Sequence, residues 1–158
     1  MKKSIIILLM ASVLISCNSN NTNKVSDTEI YLKVIKDIRP GVNIRECIEF
    51  SDNRGSAHSL PGFPEYFMTK VYAGKKVTWM SSPDSDQTIQ IIEVNFKENN
   101  ISTNILEETY IRGKKGKVSA MVKKKGEVPN LANQFYNISI SINNKVYTID
   151  PILQFHAE

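Results

Sequence analysis

Nucleophilic or metal-centred chemistry in this chain would have to be assembled from Cys47, His58 and His156, the only cysteine and histidines besides Cys17. A thiol beside an imidazole can act as a nucleophile, and cysteine, histidine and methionine together make copper sites. The spacing supports neither. No local motif surrounds these residues, the last hairpin carries no cysteine, and Met121 stands far from Cys47. No HExxH, GxSxG, Walker A, CxxC or EF-hand pattern occurs. The Asp84-Ser85-Asp86 turn could offer oxygens to Ca2+, but one turn supplies too few ligands and reads as a solvated loop. Cys47 reads as a small buried hydrophobe, with a reactive thiol or an intermolecular bridge as the alternative. A non-enzymatic chain without cofactor or metal is therefore predicted. The alternatives are a small-ligand or metal carrier using His58, His156 or the Asp84/Asp86 turn, and a hydrolase whose site the sequence conceals.

The other chemically distinctive stretch is basic. Arg112, Lys114, Lys115, Lys117, Lys123, Lys124 and Lys125 occupy two turns and the segment between them. Such a cluster suits an anionic partner: lipid phosphate, a polyanionic glycan or an acidic protein. No aromatic residue interleaves the lysines for base stacking, which argues against nucleic acid. The competing reading is protection of an exposed strand edge against pairing with other chains.

Cys17 has the most specific context. Lys2 and Lys3 precede an apolar run over residues 5–15, interrupted only by the small residue Ser12, and Leu14-Ile15-Ser16-Cys17 follows the order of a cleavable export signal. The segment resembles a bacterial lipoprotein signal, whose resemblance implies cleavage before Cys17 and acylation of its thiol and amine. The run is too short to span a bilayer, which takes about 20 apolar residues. The almost wholly polar residues 18–24 then read as a spacer. The predicted parts are a signal peptide (1–16), a lipidated Cys17 with polar tether (17–26) and one folded domain (27–158). The formal charge of +4 includes Lys2 and Lys3. The mature chain is thus nearly balanced, and only local clustering of charge can matter.

The elements that must position these residues are extended. Ile30, Tyr31, Val34, Ile35 and Ile38 recur at helical spacing behind Asp27, which predicts one short N-terminal helix, with a strand over 29–36 as the alternative. Beyond Gly41 the apolar period is two. Val42, Ile44, Ile48 and Phe50 share a face, with irregularity at Glu46. Residues 65–72 and 76–81 flank Ala73-Gly74-Lys75 as a hairpin, with Val77 and Trp79 in the core. Strands follow over 88–96, 105–111 and 117–123, the last with Val118, Ala120 and Val122 inward. Tyr136, Ile138, Ile140 and Ile142 alternate up to Asn143-Asn144, whose side chains suit a type I′ turn. Pro151 interrupts the final run, where a strand must kink or sit at an edge and could change sheets. About eight strands at this spacing predict an all-β antiparallel sandwich of immunoglobulin or cupredoxin type.

The closing phrase, Tyr147-Thr148-Ile149-Asp150-Pro151-Ile152-Leu153-Gln154-Phe155-His156, resembles the final strand of small Bacteroidetes-type lipoproteins. Gly74-Lys75-Lys76-Val77-Thr78-Trp79 is similar to the phrase preceding their polar serine loop. The order of parts over 66–156 also resembles the AidA/PixA inclusion-body proteins and cupredoxin-like sandwiches. The resemblance implies a β-sandwich and no activity. The function expected from the sequence is a binding or interaction module in the cell envelope, at the outer membrane or another envelope membrane. It would be held there by the lipid on Cys17, with an anionic envelope component or protein as partner.

Overall fold

A computed structural model describes residues 25–99 and 101–158. The signal segment, Cys17 and the polar spacer lie outside the described residues. No helix among those described is long and apolar enough to cross a membrane.

The chain is a β-sandwich. The strands are β1 (Thr28–Val34), β2 (Ile48–Asp52), β3 (Met68–Tyr72), β4 (Lys76–Ser81), β5 (Gln90–Phe96), β6 (Tyr110–Arg112), β7 (Val118–Met121), β8 (Asn133–Ile142), β9 (Lys145–Ile149) and β10 (Ile152–His156). One sheet has the order β2-β1-β4-β7, and the other runs β3-β10-β8-β5-β6 with β9 also paired to β8. Both sheets are mixed: β1 with β4 and β10 with β3 are parallel, and the remaining pairs are antiparallel. The core between the sheets is closed at its centre by Trp79 on β4 and Tyr136 on β8. Their rings meet edge to face at 5.5 Å, and the indole Nε1–H donates to the phenol oxygen at 2.9 Å.

The predicted N-terminal helix is strand β1. Thr28, Ile30, Leu32 and Val34 alternate inward and are all buried, so the period is two. Tyr31, which the helical spacing places with Ile30 and Val34, turns outward from the strand, Ile35 is exposed just beyond it, and Leu32 is the residue that faces the core. Asp27, read as a helix cap, instead accepts the backbone N–H of Lys76.

Three further local readings change once the ladders are known. Residues 73–75 join β3 to β4 as an arch between sheets, not as a hairpin, because β3 pairs with β10 while β4 inserts between β1 and β7. A glycine turn serves either connection, and the distant ladders decide. In β5 neither alternation holds throughout: Ile89 and Ile91 are buried, a register shift falls between Ile91 and Glu93, and Val94 takes the inward face beyond it. Of residues 105–111 only the end is strand. Ile105 and Leu106 are adjacent and both buried, and the buried Gln134 Oε1 accepts both of their N–H groups.

The C-terminal hairpin forms as expected. Asn143 and Asn144 adopt φ 50° and 62°, and Ile142 lies opposite Lys145. Pro151 interrupts the strand without a change of sheet. The register that sets Ile138 opposite Ile149 continues unbroken to Phe135 opposite Ile152, so β9 and β10 are one ladder on β8 interrupted where proline lacks a donor.

Candidate functional site

The surface that departs most from an ordinary solvated face is built on the return from β2 to β3. Asp52 turns the chain by accepting the Arg54 and Ser56 N–H groups on Oδ1. The chain then runs back along the edge of β2: Ser59 N–H donates to Phe50 O, Ser59 Oγ accepts from Phe50 N, and Gly62 N–H reaches Arg45 O. Pro61 and Pro64 cannot donate to a ladder, so the chain leaves that edge. It turns at Gly62 (φ +86°) into a 3-10 turn, Pro64–Tyr66. That turn buries Pro64 and is followed by Phe67, which stacks on Phe50 at 5.6 Å.

The same geometry turns four large apolar side chains outward. Leu60 is 70%, Phe63 52%, Tyr66 74% and Met68 42% exposed. Phe63 and Tyr66 stack at 6.0 Å. A cleft of about 240 Å³ opens between His58 and the Tyr66 to Met68 stretch, with the buried Phe67 in its wall. Phe63 also borders a second hollow of about 540 Å³ beside Ile35 and Pro61. Most charged groups around this face are paired. Glu49 holds His58 Nδ1 at 2.9 Å, and Glu46 holds Lys36 at 3.2 Å. Arg45 bridges Glu65 at 3.0 Å and Asp150 at 3.1 Å, and Asp150 also takes Lys97 at 2.8 Å. The face is therefore apolar and aromatic, with Lys70 exposed on the same side of β3 as Met68. Within the cleft, His58 is held by Glu49, and Ser59 Oγ accepts from Phe50 N–H.

The residues singled out in the sequence are not brought together. Cys47 is fully buried, its Sγ 3.7 Å from Asn43 O and 3.8 Å from Asp37 O, and burial pushes its thiol pKa up. It is a packed, unreactive thiol. His58 lines the aromatic cleft. His156 lies opposite Tyr72, at the other end of β3 from Met68, with its ring 5.6 Å from that of Tyr72 and Nε2 3.1 Å from Gln154 Oε1. Burial, then the nearby Lys70, lowers its pKa. Among the described residues no three His, Cys, Asp or Glu side chains gather as metal ligands. Asp84 and Asp86 stay exposed on the β4–β5 connection.

The basic residues divide between the two ends of β7. Arg112, Lys114, Lys115 and Lys117 lie on the tight turn that carries the chain from β6 in one sheet to β7 in the other, all exposed. Lys123, Lys124 and Lys125 follow the opposite end of β7, where Gly74 N–H bonds Val122 O and Lys123 O. Lys123 is half-buried and donates to Asn104 O at 2.9 Å. The separation arises because Val118, Ala120 and Val122 must face the core, which stretches the intervening segment into a strand.

The aromatic face was not anticipated. Its signal is visible in retrospect as four large apolar residues around two prolines, more than a loop at a sheet edge can cover. No protein-family model and no curated protein matches the chain.

Proposed function

We propose that this chain is an exported, lipid-anchored binding module without enzymatic activity, and that Leu60, Phe63, Tyr66 and Met68 contact a protein partner in the cell envelope. The observation that carries this reading is the clustering of those four exposed side chains around one cleft. Soluble proteins rarely leave such a contiguous patch uncovered unless something docks there. Tyrosine, phenylalanine and methionine are enriched at protein interfaces. Most of the surrounding charges are paired with one another, which favours an apolar contact over a charged ligand.

The placement of the chain ends supports the same reading. Residues 25–27 join the sandwich beside Lys76 and Arg54, at the end where β3 finishes at Tyr72. The aromatic face lies toward the Met68 end of that strand. A lipid on Cys17 would hold the molecule by one end and leave the aromatic face away from the bilayer.

A photo-crosslinking residue in place of Tyr66, compared in intact cells with one at Val146 on β9, tests the proposal. A discrete protein adduct is expected from position 66 alone, and it should disappear with Phe63→Ser. Equal adducts from both positions, or none from 66, would reject the docking face. Anchoring is read separately: Cys17→Ala should abolish labelling by a palmitate analogue and release the protein from the membrane fraction.

A further inference from the structure

The turn joining β6 to β7 forms one wall of a separate cleft, of about 480 Å³, whose lining includes Ser81, Thr88, Gln90, Lys115, Gly116 and Lys117. Its polar chemistry is one-sided. Two lysines, a serine, a threonine and a glutamine border it, and no aspartate or glutamate does. Among the described residues neither Lys115 nor Lys117 forms an ion pair. Ser81 Oγ accepts from Ile89 N–H, which leaves its own proton for a ligand. Asp86, two residues before Thr88, borders a different hollow with Lys33 and Lys36.

The backbone beneath these groups is held firmly. Gly113 N–H donates to Ile92 O at 2.6 Å, Ile91 N–H to Gly116 O at 3.1 Å, and Lys114 and Lys117 close the tip with bonds of 2.8 and 3.2 Å. Gly113 has no room for a side chain, because a Cβ there would sit 2.2 Å from Ile91 O. Lys115 is held at φ 54°, a left-handed conformation that costs a β-carbon-bearing residue about 1 kcal/mol or more. Asparagine or glycine would fill that position more cheaply. The fold thus places a lysine on a rigid mount beside a cleft of ordinary small-ligand size.

We infer that this cleft binds the phosphate or sulfate ester of a sugar-sized molecule. The two lysines act as point charges on the ester oxygens, while Ser81, Thr88 and Gln90 donate to the remaining oxygens. Arg112 and Lys114 on the same turn add to the attracting field. The site is separate from the aromatic face and does not depend on the anchor.

Calorimetric titration of the full-length chain in neutral detergent, with glucose 6-phosphate, glucose 6-sulfate and glucose as probes, tests the assignment. Binding of at least one ester with a Kd of about 0.1–1 mM is expected, weakening as NaCl rises from about 50 to 300 mM, with no binding of glucose. A preference between the esters identifies which of them the site takes. The pair K115Q/K117Q should weaken binding about tenfold or more, and K124Q/K125Q, on the other basic turn, should leave it unchanged. All four positions are exposed or half-exposed surface sites, so folding should survive, and the melting temperature of each variant checks this. Absence of binding at about 10 mM ester, equal binding of glucose, or equal losses from the two lysine pairs would overturn the inference.

Discussion

Tyr136 takes the indole N–H of Trp79 where neither residue has any contact with solvent. Burial pushes the phenol pKa far above its ordinary value, so the hydroxyl stays neutral at any physiological pH. Tyr136→Phe would leave the indole N–H buried without an acceptor, which costs about 1–3 kcal/mol. Urea unfolding should show that loss, and Trp79→Phe combined with it should cost less than the sum of the single changes, since the two share one interaction. His156 carries a pH signature. Burial, then Lys70, lowers its folded pKa below the ordinary histidine value of about 6.5. The unfolded chain therefore takes up the proton first as pH falls. The stability tied to neutral His156 is complete above about pH 6.5 and is lost as pH drops through the folded value. Melting curves between about pH 7 and 5 should fall less steeply for His156→Asn than for the native chain; identical slopes would remove His156 from the pH response. The inward placement of Tyr136 and Trp79 was legible from alternation. Their mutual hydrogen bond was not, because it joins positions 57 apart in sequence.

At the scale of elements, the β6–β7 arch shows how one glycine fixes a site. Gly113 lies against the irregularity in β5, and its N–H meets Ile92 O. Gly113→Ala would drive a methyl group to 2.2 Å from Ile91 O, so either the turn lifts off or β5 shifts. A loss of about 1–3 kcal/mol is expected from overpacking of this kind, read as a lower urea midpoint with accelerated amide exchange at Ile91 and Gly116. A stability equal to the native chain would show that the turn is not seated on β5. The hairpins and the glycine turn at 73–75 could be located from residue types, since turn chemistry is local. Whether such a turn makes a hairpin or an arch could not. Likewise β1 offered both a helical and an extended spacing, and its ladders to β2 and β4 selected the extended one.

At the scale of the molecule, the sandwich presents an aromatic face on the β2–β3 side and a basic turn at one end of β7. Phe63→Ser with Tyr66→Ser should change the melting free energy by no more than about 0.5 kcal/mol, because surface substitutions away from packing seldom do more. A larger loss would make those rings part of the core and not a docking face. The sequence by itself determined the all-β class, the inward positions from Val118 to Val122 and from Tyr136 to Ile142, the Asn143-Asn144 turn and the interruption at Pro151, because period and turn chemistry act between near neighbours. Only the tertiary structure decided that Leu60, Phe63, Tyr66 and Met68 share an exposed face, that the seven basic residues divide into two groups, and that Cys47, His58 and His156 stay apart. Those outcomes depend on which edges pair across dozens of residues, and such pairing is chosen by the closing of the whole core.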